Sequence, residues 1–183
     1  MTVRVQREAF DAGREVERLT AGRSDIGAVV TFTGIMRGEA DGRPLAGMTL
    51  EHYPGMTEKE LERVESEACE RWPLQAALIV HRFGALQPGD PIVLVVTASA
   101  HRAAAFEAAQ FLMDYLKTRA PFWKKEERAG GKTEWVEARE ADSRARERWG
   151  QVSGVRRQVS EITSLSDTSL SDTSLSDTSL SDT

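Results

Sequence analysis

An α+β fold, with helices packed on a mainly antiparallel sheet, is predicted by three features of the sequence. Short segments rich in β-branched and aromatic residues come in pairs, such as "GAVVTFTG" and "GMTLEHY". A helical segment precedes each pair, so the order helix, strand, strand occurs three times. The connections between the strands contain Gly, Pro and Asp, and the shorter ones favour antiparallel neighbours.

In the first half of the chain, Thr57 with Glu60 three residues later has the spacing of a capping box. This spacing predicts a helix that starts there and runs to about Trp72. The other elements predicted in this half are an amphipathic helix over residues 11–22 and strands over 27–34 and 47–53.

The second half has two apolar strands, 75–84 and 91–99, followed by the longest helix, 101–119. Residues 122–128 and 132–139 are predicted to form a β-hairpin around "AGG". Helix 101–119 has two apolar faces. It is therefore predicted to pack between two layers, or between a sheet and a second subunit.

The composition, 183 residues with 40% hydrophobic and 29% charged, suffices for one compact domain with a core. The apolar runs are too short to span a bilayer, and the first ten residues carry charges where a signal peptide needs apolar residues. We therefore expect a soluble, cytoplasmic protein.

The sequence "SLSDT" occurs four times between residues 164 and 183. Such a segment cannot bury enough apolar area to offset its ordering entropy. We therefore predict a folded domain over 1–150, and a disordered linker and tail over 151–183. Four Asp in the tail account for −4 of the formal net charge of −5, which leaves −1 for the rest. This balance argues against a broad nucleic-acid surface.

Cys69 is the only cysteine, so neither a disulfide nor a zinc cluster of cysteines can form within one chain. Its helical context predicts a small, half-buried core residue rather than a catalytic thiol. We expect no metal site and no cofactor.

His101 and Arg102 begin the long helix, directly after a strand that ends at Ser99. Free backbone N–H groups favour an anion there, with Ser99 as N-cap. Arg102 adds a forked charge that suits phosphate, and His101 can exchange a proton near neutral pH. Arg37 lies beside Gly38 in a predicted loop and is a weaker candidate. The alternative is that these side chains only occupy a helix start and a solvated loop.

Phe122, Lys124 and Glu126 point to one face of their strand, and Trp123 and Lys125 point to the other. An aromatic neighbour would partly desolvate Lys124 and make its amine a usable base or nucleophile. By pattern alone, ordinary charges on an edge strand are the stronger interpretation. Lys117 ends the long helix, where an ion pair with Asp114 is the plain alternative.

His101 and Lys117 are sixteen residues apart on one helix. A rise of 1.5 Å per residue separates them by roughly 24 Å, so no small molecule contacts both within one chain. If both residues serve one substrate, two subunits must contribute opposite ends of this helix.

The segments "GAVVTFTGIMR", "LEHYPGMTEKEL", "SAHRAAAFEAAQFLMDYLKTRAPFWKKE" and "EWVEARE" closely resemble the large, catalytic subunit of molybdopterin synthase. The resemblance covers about residues 3–149 and implies an α/β hammerhead fold. It also implies a homodimer of large subunits within a heterotetramer, with a small ubiquitin-like subunit at each end. That partner carries a C-terminal Gly-Gly thiocarboxylate and supplies two sulfurs to cyclic pyranopterin monophosphate. The product is the dithiolene of molybdopterin, made in molybdenum cofactor biosynthesis.

The same resemblance implies a sulfurtransferase with Lys117 and Lys124 as catalytic amines, Lys117 having the central role. A lysine beside the thiocarboxylate can stabilise developing negative charge or transfer protons. Because the partner supplies the sulfur, no thiol is needed in this chain. The implied substrate-binding residues are Arg37, His101, Arg102, Lys117, Lys124, Lys125, Glu126 and Arg139.

Two hypotheses from other classes stay open. The first is a phosphate-ligand binding module without catalysis. The second is an RNA-binding domain that stacks bases on Phe122 and Trp123 beside the lysines, although the near-neutral body counts against it.

Overall fold

The computed structural model of the protein describes residues 3–118, 120–128, 130–136 and 149. Three helices and nine strands in two sheets make up the described part of residues 1–146, which confirms the predicted α+β class. In chain order the elements are β1 (Val3–Gln6), α1 (Ala12–Thr20), β2 (Ala28–Ile35), β3 (Glu39–Ala40), β4 (Arg43–His52), α2 (Met56–Arg71), β5 (Leu74–Arg82), β6 (Gly84–Leu86), β7 (Pro91–Ser99), α3 (Arg102–Thr118), β8 (Phe122–Arg128) and β9 (Thr133–Val136).

The first sheet has the strand order β1-β5-β7-β2. Its pairs are antiparallel except for β1 and β5, which run parallel. Continuous apolar runs make β5 and β7 suited to burial on both faces. Helix α1 covers one face, where Val16 and Leu19 pack against Leu78, Val80, Leu94 and Val96.

Helices α2 and α3 pack on the other face of the first sheet. Thr97 of β7 donates its hydroxyl hydrogen to the carbonyl oxygen of Ala105 at 2.7 Å, which ties α3 to the sheet. Part of the other predicted apolar face of α3 is uncovered: Phe106 is 62% exposed, but Leu112 on the same face is buried. The exposed part leaves room for the predicted contact with a second subunit, which stays a prediction. The buried side chains of α3 are Ala105, Ala108, Ala109, Phe111, Leu112 and Leu116.

The start of α2 differs from the prediction. The backbone N–H of Gly55 donates to the Glu58 carboxylate at 2.6 Å, so the Glu58 side chain, not that of Glu60, reaches back to the helix start. Thr57 lies inside the first turn and is fully buried. Its hydroxyl donates to the carbonyl oxygen of Tyr53 at 3.0 Å instead of capping the helix.

The second sheet has the order β3-β4-β8-β9, with β6 paired to β4. Met48, Leu50 and Leu86 belong to the core cluster on its inner face. Strands β8 and β9 form the predicted hairpin. Residues 137–139 of the predicted last strand, Arg139 among them, lie outside the described residues. The tail 151–183 also lies outside them, and the domain boundary at 150 stays a prediction.

Strands β1, β3 and β6 were not predicted. They have four, two and three residues, too few for a periodic pattern to stand out. Among the described helices, none is long and apolar enough to cross a membrane.

Candidate functional site

The loop between β7 and α3 carries the predicted anion-binding residues. Helix α3 begins at Arg102, and both His101 and Arg102 are exposed. Ser99 is buried, and its hydroxyl donates to the carbonyl oxygen of Pro73 at 2.9 Å. The same hydroxyl accepts only a long contact, 3.4 Å, from the N–H of His101. Ser99 therefore anchors the loop, and the prediction that it caps α3 is wrong.

Gly27 holds this loop against the start of β2. Its N–H donates to the carbonyl oxygen of Ser99 at 3.0 Å. A Cβ atom at Gly27 would lie 2.3 Å from the carbonyl oxygen of Ala100, which is far inside van der Waals contact. The backbone that leads into His101 therefore passes so close to β2 that only glycine fits.

Arg37 lies at the other end of β2 and is exposed. The preceding residue, Met36, is buried in the core of the second sheet. Its N–H donates to the carbonyl oxygen of Asp90, and its own carbonyl oxygen accepts from Gly89, both at 2.9 Å. Eight strand residues separate the two ends, so Arg37 and His101 are roughly 25 Å apart within one chain.

The course of α3 divides the cationic residues into two groups. Only two residues connect β7 to α3, so the chain reverses and α3 runs back along the first sheet. Lys117 therefore lies towards the end of the sheet where β2 leads into Arg37. His101 and Arg102 lie at the opposite end, in agreement with the separation predicted from the sequence.

Lys124 is held by a carboxylate. Its Nζ donates to Oε1 of Glu126 at 2.9 Å, and Glu126 is only 6% exposed. Arg128, two residues further along the same face of β8, places Nη2 3.8 Å from Oε2 of Glu126. The structure therefore shows an ion pair, on the inner face of the second sheet, as the main contact of the Lys124 amine. Arg128 has the same-face spacing along β8, and this spacing could have indicated from the sequence that it also approaches Glu126.

Lys125 points to the opposite face of β8. Its Nζ lies 5.7 Å from the ring centroid of Trp135, a cation–π contact on the outer surface. Trp123 and Trp135 are both at least half exposed on this sheet. The structure therefore separates Lys125 from the pair formed by Lys124 and Glu126.

Cys69 as a residue is exposed, so the prediction that it belongs to the core is wrong, although neighbouring atoms partly cover its sulfur. Partial burial of the sulfur and the nearby Glu65 carboxylate raise the pKa of the Cys69 thiol to about 11. A thiol with such a pKa is almost fully protonated at neutral pH and is a poor nucleophile. Within the described residues, no group of His, Cys, Asp and Glu side chains could hold a metal ion.

The fold and these residues define an α+β protein with cationic groups at both ends of one helix, suited to anionic ligands. The family model described as MoaE protein matches residues 5–119. The chain belongs to this family, and the resemblance stated from its sequence is confirmed.

The molybdopterin synthase catalytic subunit of Mesorhizobium japonicum is 58% identical over 149 residues, which cover 81% of this chain and 92% of that protein. A solved MoaE structure from Burkholderia ambifaria has a TM-score of 0.70 at 50% identity and covers 81% of this chain and 97% of that one. A crystal structure of molybdopterin synthase from Staphylococcus aureus has a TM-score of 0.68 at 33% identity, with 75% and 98% coverage.

Proposed function

We propose that the chain is the catalytic subunit of a molybdopterin synthase and acts as a sulfurtransferase. A small ubiquitin-like partner with a C-terminal thiocarboxylate supplies two sulfurs to cyclic pyranopterin monophosphate. In each transfer the C–S bond of the thiocarboxylate breaks, and the sulfur replaces an oxygen substituent on the pterin side chain, which leaves as water or with the phosphate group. Water then supplies an oxygen to the acyl carbon of the carrier, which becomes a carboxylate. Two findings support the proposal: the chain belongs to the MoaE family, and the molybdopterin synthase catalytic subunit of Mesorhizobium japonicum is 58% identical to it. A cytoplasmic location is part of the proposal.

The observation that carries the mechanism is the placement of the two lysines. Lys117 lies in the last turn of α3, and Lys124 lies near the start of the strand that follows. Lys117 has the central role, because an amine beside the acyl carbon can stabilise the oxyanion that forms and transfer protons. Lys124, fixed by Glu126, supplies a second positive charge at a set position.

The phosphate and carboxylate groups of the substrates require a cationic surface. Arg37, His101 and Arg102 are exposed and have side chains suited to it. Arg139 is proposed for the same role, and Lys125 for contact with the substrates from the outer face of β8. Glu126 acts here by orienting Lys124 rather than by binding an anion.

One site draws on two copies of the chain. His101 and Arg102 lie at the opposite end of α3 from Lys117, so a homodimer brings the two groups together. The exposed Phe106 on α3, and Phe32 on β2, the last strand of the first sheet within the described residues, are apolar surface available to the second copy. With one small subunit at each end, the assembly is a heterotetramer.

Lys117→Ala tests the catalytic assignment. The variant, co-purified with the thiocarboxylated partner, should lose nearly all molybdopterin formation while it still binds the pterin precursor. Lys59→Ala, on the exposed surface of α2, is the matched control and should retain full turnover. Unchanged turnover in Lys117→Ala would remove Lys117 from catalysis, and binding without turnover in the wild type would leave only a phosphate-ligand binding module.

A further inference from the structure

The ring of Phe122 lies near two histidine rings from two different strands. The imidazole of His81, on β5, stacks on Phe122 with ring centroids 3.7 Å apart and planes 18° from parallel. The imidazole of His52, on β4, lies 6.0 Å from the same ring and 4.4 Å from that of Phe83. This group of rings, His52, His81, Phe83 and Phe122, is called the histidine clamp below.

The two histidine side chains of the clamp are largely buried, although their rings are polar. His81 is 9% exposed, and its Nδ1 lies 2.8 Å from the carbonyl oxygen of Arg82. The side chain of His52 is 7% exposed. Its Nδ1 has no hydrogen-bond partner, and the nearest carboxylate oxygen, of Glu58, is 3.9 Å away. Burying an unpaired polar atom costs folding free energy that an apolar ring would not cost. A site that breaks this packing rule is a candidate for a functional role.

The clamp joins the two sheets. His81 belongs to the first sheet, whose β7 and β2 carry α3 and therefore Lys117. Phe122 is the first residue of β8 in the second sheet and points to the same face as Lys124 two residues later. His52 is the direct neighbour of Phe122 across the β4–β8 pair. Pro121, just before Phe122, is held in the same region by Thr57, whose hydroxyl is 3.5 Å from its carbonyl oxygen.

We propose that His81 and His52 are positioning residues that fix Phe122 and, through it, the place of Lys124 relative to Lys117. The inference rests on the proposed function, since it assigns the two lysines to one reaction. Lys124 belongs to the second sheet, whereas Lys117 belongs to α3, which packs on the first sheet, and only residues 118–123 connect them along the chain. Without an inter-sheet contact at Phe122, the start of β8 could shift against α3. A displacement of about 1 Å in a catalytic group can lower turnover by up to about 100-fold.

The test compares His81→Leu, which keeps an apolar side chain but removes the stack, with His81→Phe, which keeps a planar ring. We expect turnover per folded molecule of His81→Leu to fall at least about tenfold with KM changed less than about twofold. His81→Phe should recover most of the wild-type rate. Folded fraction is measured by circular dichroism on the full chain in complex with its partner. Equal turnover per folded molecule in wild type and His81→Leu would overturn the proposal and leave the clamp as core packing.

A second readout does not depend on sulfur transfer. The rate at which an acylating reagent modifies Lys124, mapped by mass spectrometry, should change in His81→Leu and return in His81→Phe, while the rate for Lys59 stays constant. If the wild type transfers no sulfur, the proposed function fails, but this measurement still decides whether the clamp positions Lys124. If His81→Leu does not fold, Phe122→Leu removes the same stack from the other side. An unchanged Lys124 rate in the variant that folds would contradict the inference.

Discussion

Glu126 places Oε1 2.9 Å from Nζ of Lys124, and the carboxylate is buried while the amine is partly exposed. The two side chains share the inner face of β8 with Arg128, which approaches the other carboxylate oxygen. The buried Glu126 carboxylate therefore orients the Lys124 amine through an ion pair.

Replacement of Glu126 by Gln should remove the ion pair with Lys124 while keeping the shape of the side chain. The amide carries no charge to balance Lys124 and Arg128, so we expect a loss of about 1–3 kcal/mol in the free energy of unfolding. Turnover should fall by about tenfold or more, measured as molybdopterin formed with the thiocarboxylated partner. Glu127→Gln, on the exposed opposite face of the same strand, is the control and should change neither quantity. A fully active Glu126→Gln variant would argue against an orienting role.

Gly27→Ala should displace the loop that carries His101 and Arg102. The added methyl group would meet the carbonyl oxygen of Ala100 at 2.3 Å, so the backbone between β7 and α3 must move. We expect weaker binding of the anionic substrate, seen as a KM raised about tenfold, because the exposed cations shift together. Gly13→Ala, in helix α1, is the matched control and should leave KM unchanged. An unaltered KM in a folded Gly27→Ala protein would separate this loop from substrate binding.

Mixing two inactive variants tests the shared site. Arg102→Ala and Lys117→Ala each remove one end of α3 from the reaction. In a heterodimer of the two, one site combines both mutated ends and the other combines both intact ends, so one site of two should work. Recovery is measured as molybdopterin formation after the purified variants are mixed and allowed to exchange. If each site were built from a single chain, the heterodimer would stay inactive.

The stability of the fold should depend on pH through His81. Burial lowers the pKa of this imidazole to about 4 in the folded chain, against 6.5 for its ordinary value. Between these two pH values the unfolded chain binds a proton that the folded chain does not, so stability falls as the pH falls from 6.5 towards 4. The loss from this residue reaches about 3 kcal/mol near pH 4 and is absent above pH 7.

Urea unfolding of wild type and His81→Phe at several pH values measures this contribution. The difference between the two profiles cancels the titration of the other acids and bases. His101→Gln, whose side chain is exposed, should keep the wild-type dependence. Parallel profiles for wild type and His81→Phe would contradict a neutral, buried His81.

Several features of the fold followed from the sequence because they depend on local periodicity. The alternation in "FWKKEER" predicts that Phe122 and Lys124 share a face, and the register with β4 confirms it. The length of helix 101–119 predicts the separation of His101 from Lys117, and α3 is one continuous helix. The predicted start of α2 was wrong, because two nearby pairs of residues could each begin the helix. Thr57 and Glu60 have the capping-box spacing, but in the structure Glu58 accepts from the N–H of Gly55, a residue without a side chain that could mark the helix start in the sequence.

The α+β class, the family and the cationic residues could be predicted from the sequence, since periodicity and residue type are properties of short segments. The carboxylate that holds Lys124, the stacking of His81 on Phe122, and the approach of Ala100 to Gly27 became visible in the folded chain. Each of these contacts depends on how neighbouring strands and the two sheets are brought together. Residue patterns record which side chains can meet, but the packing of distant segments selects which of them do.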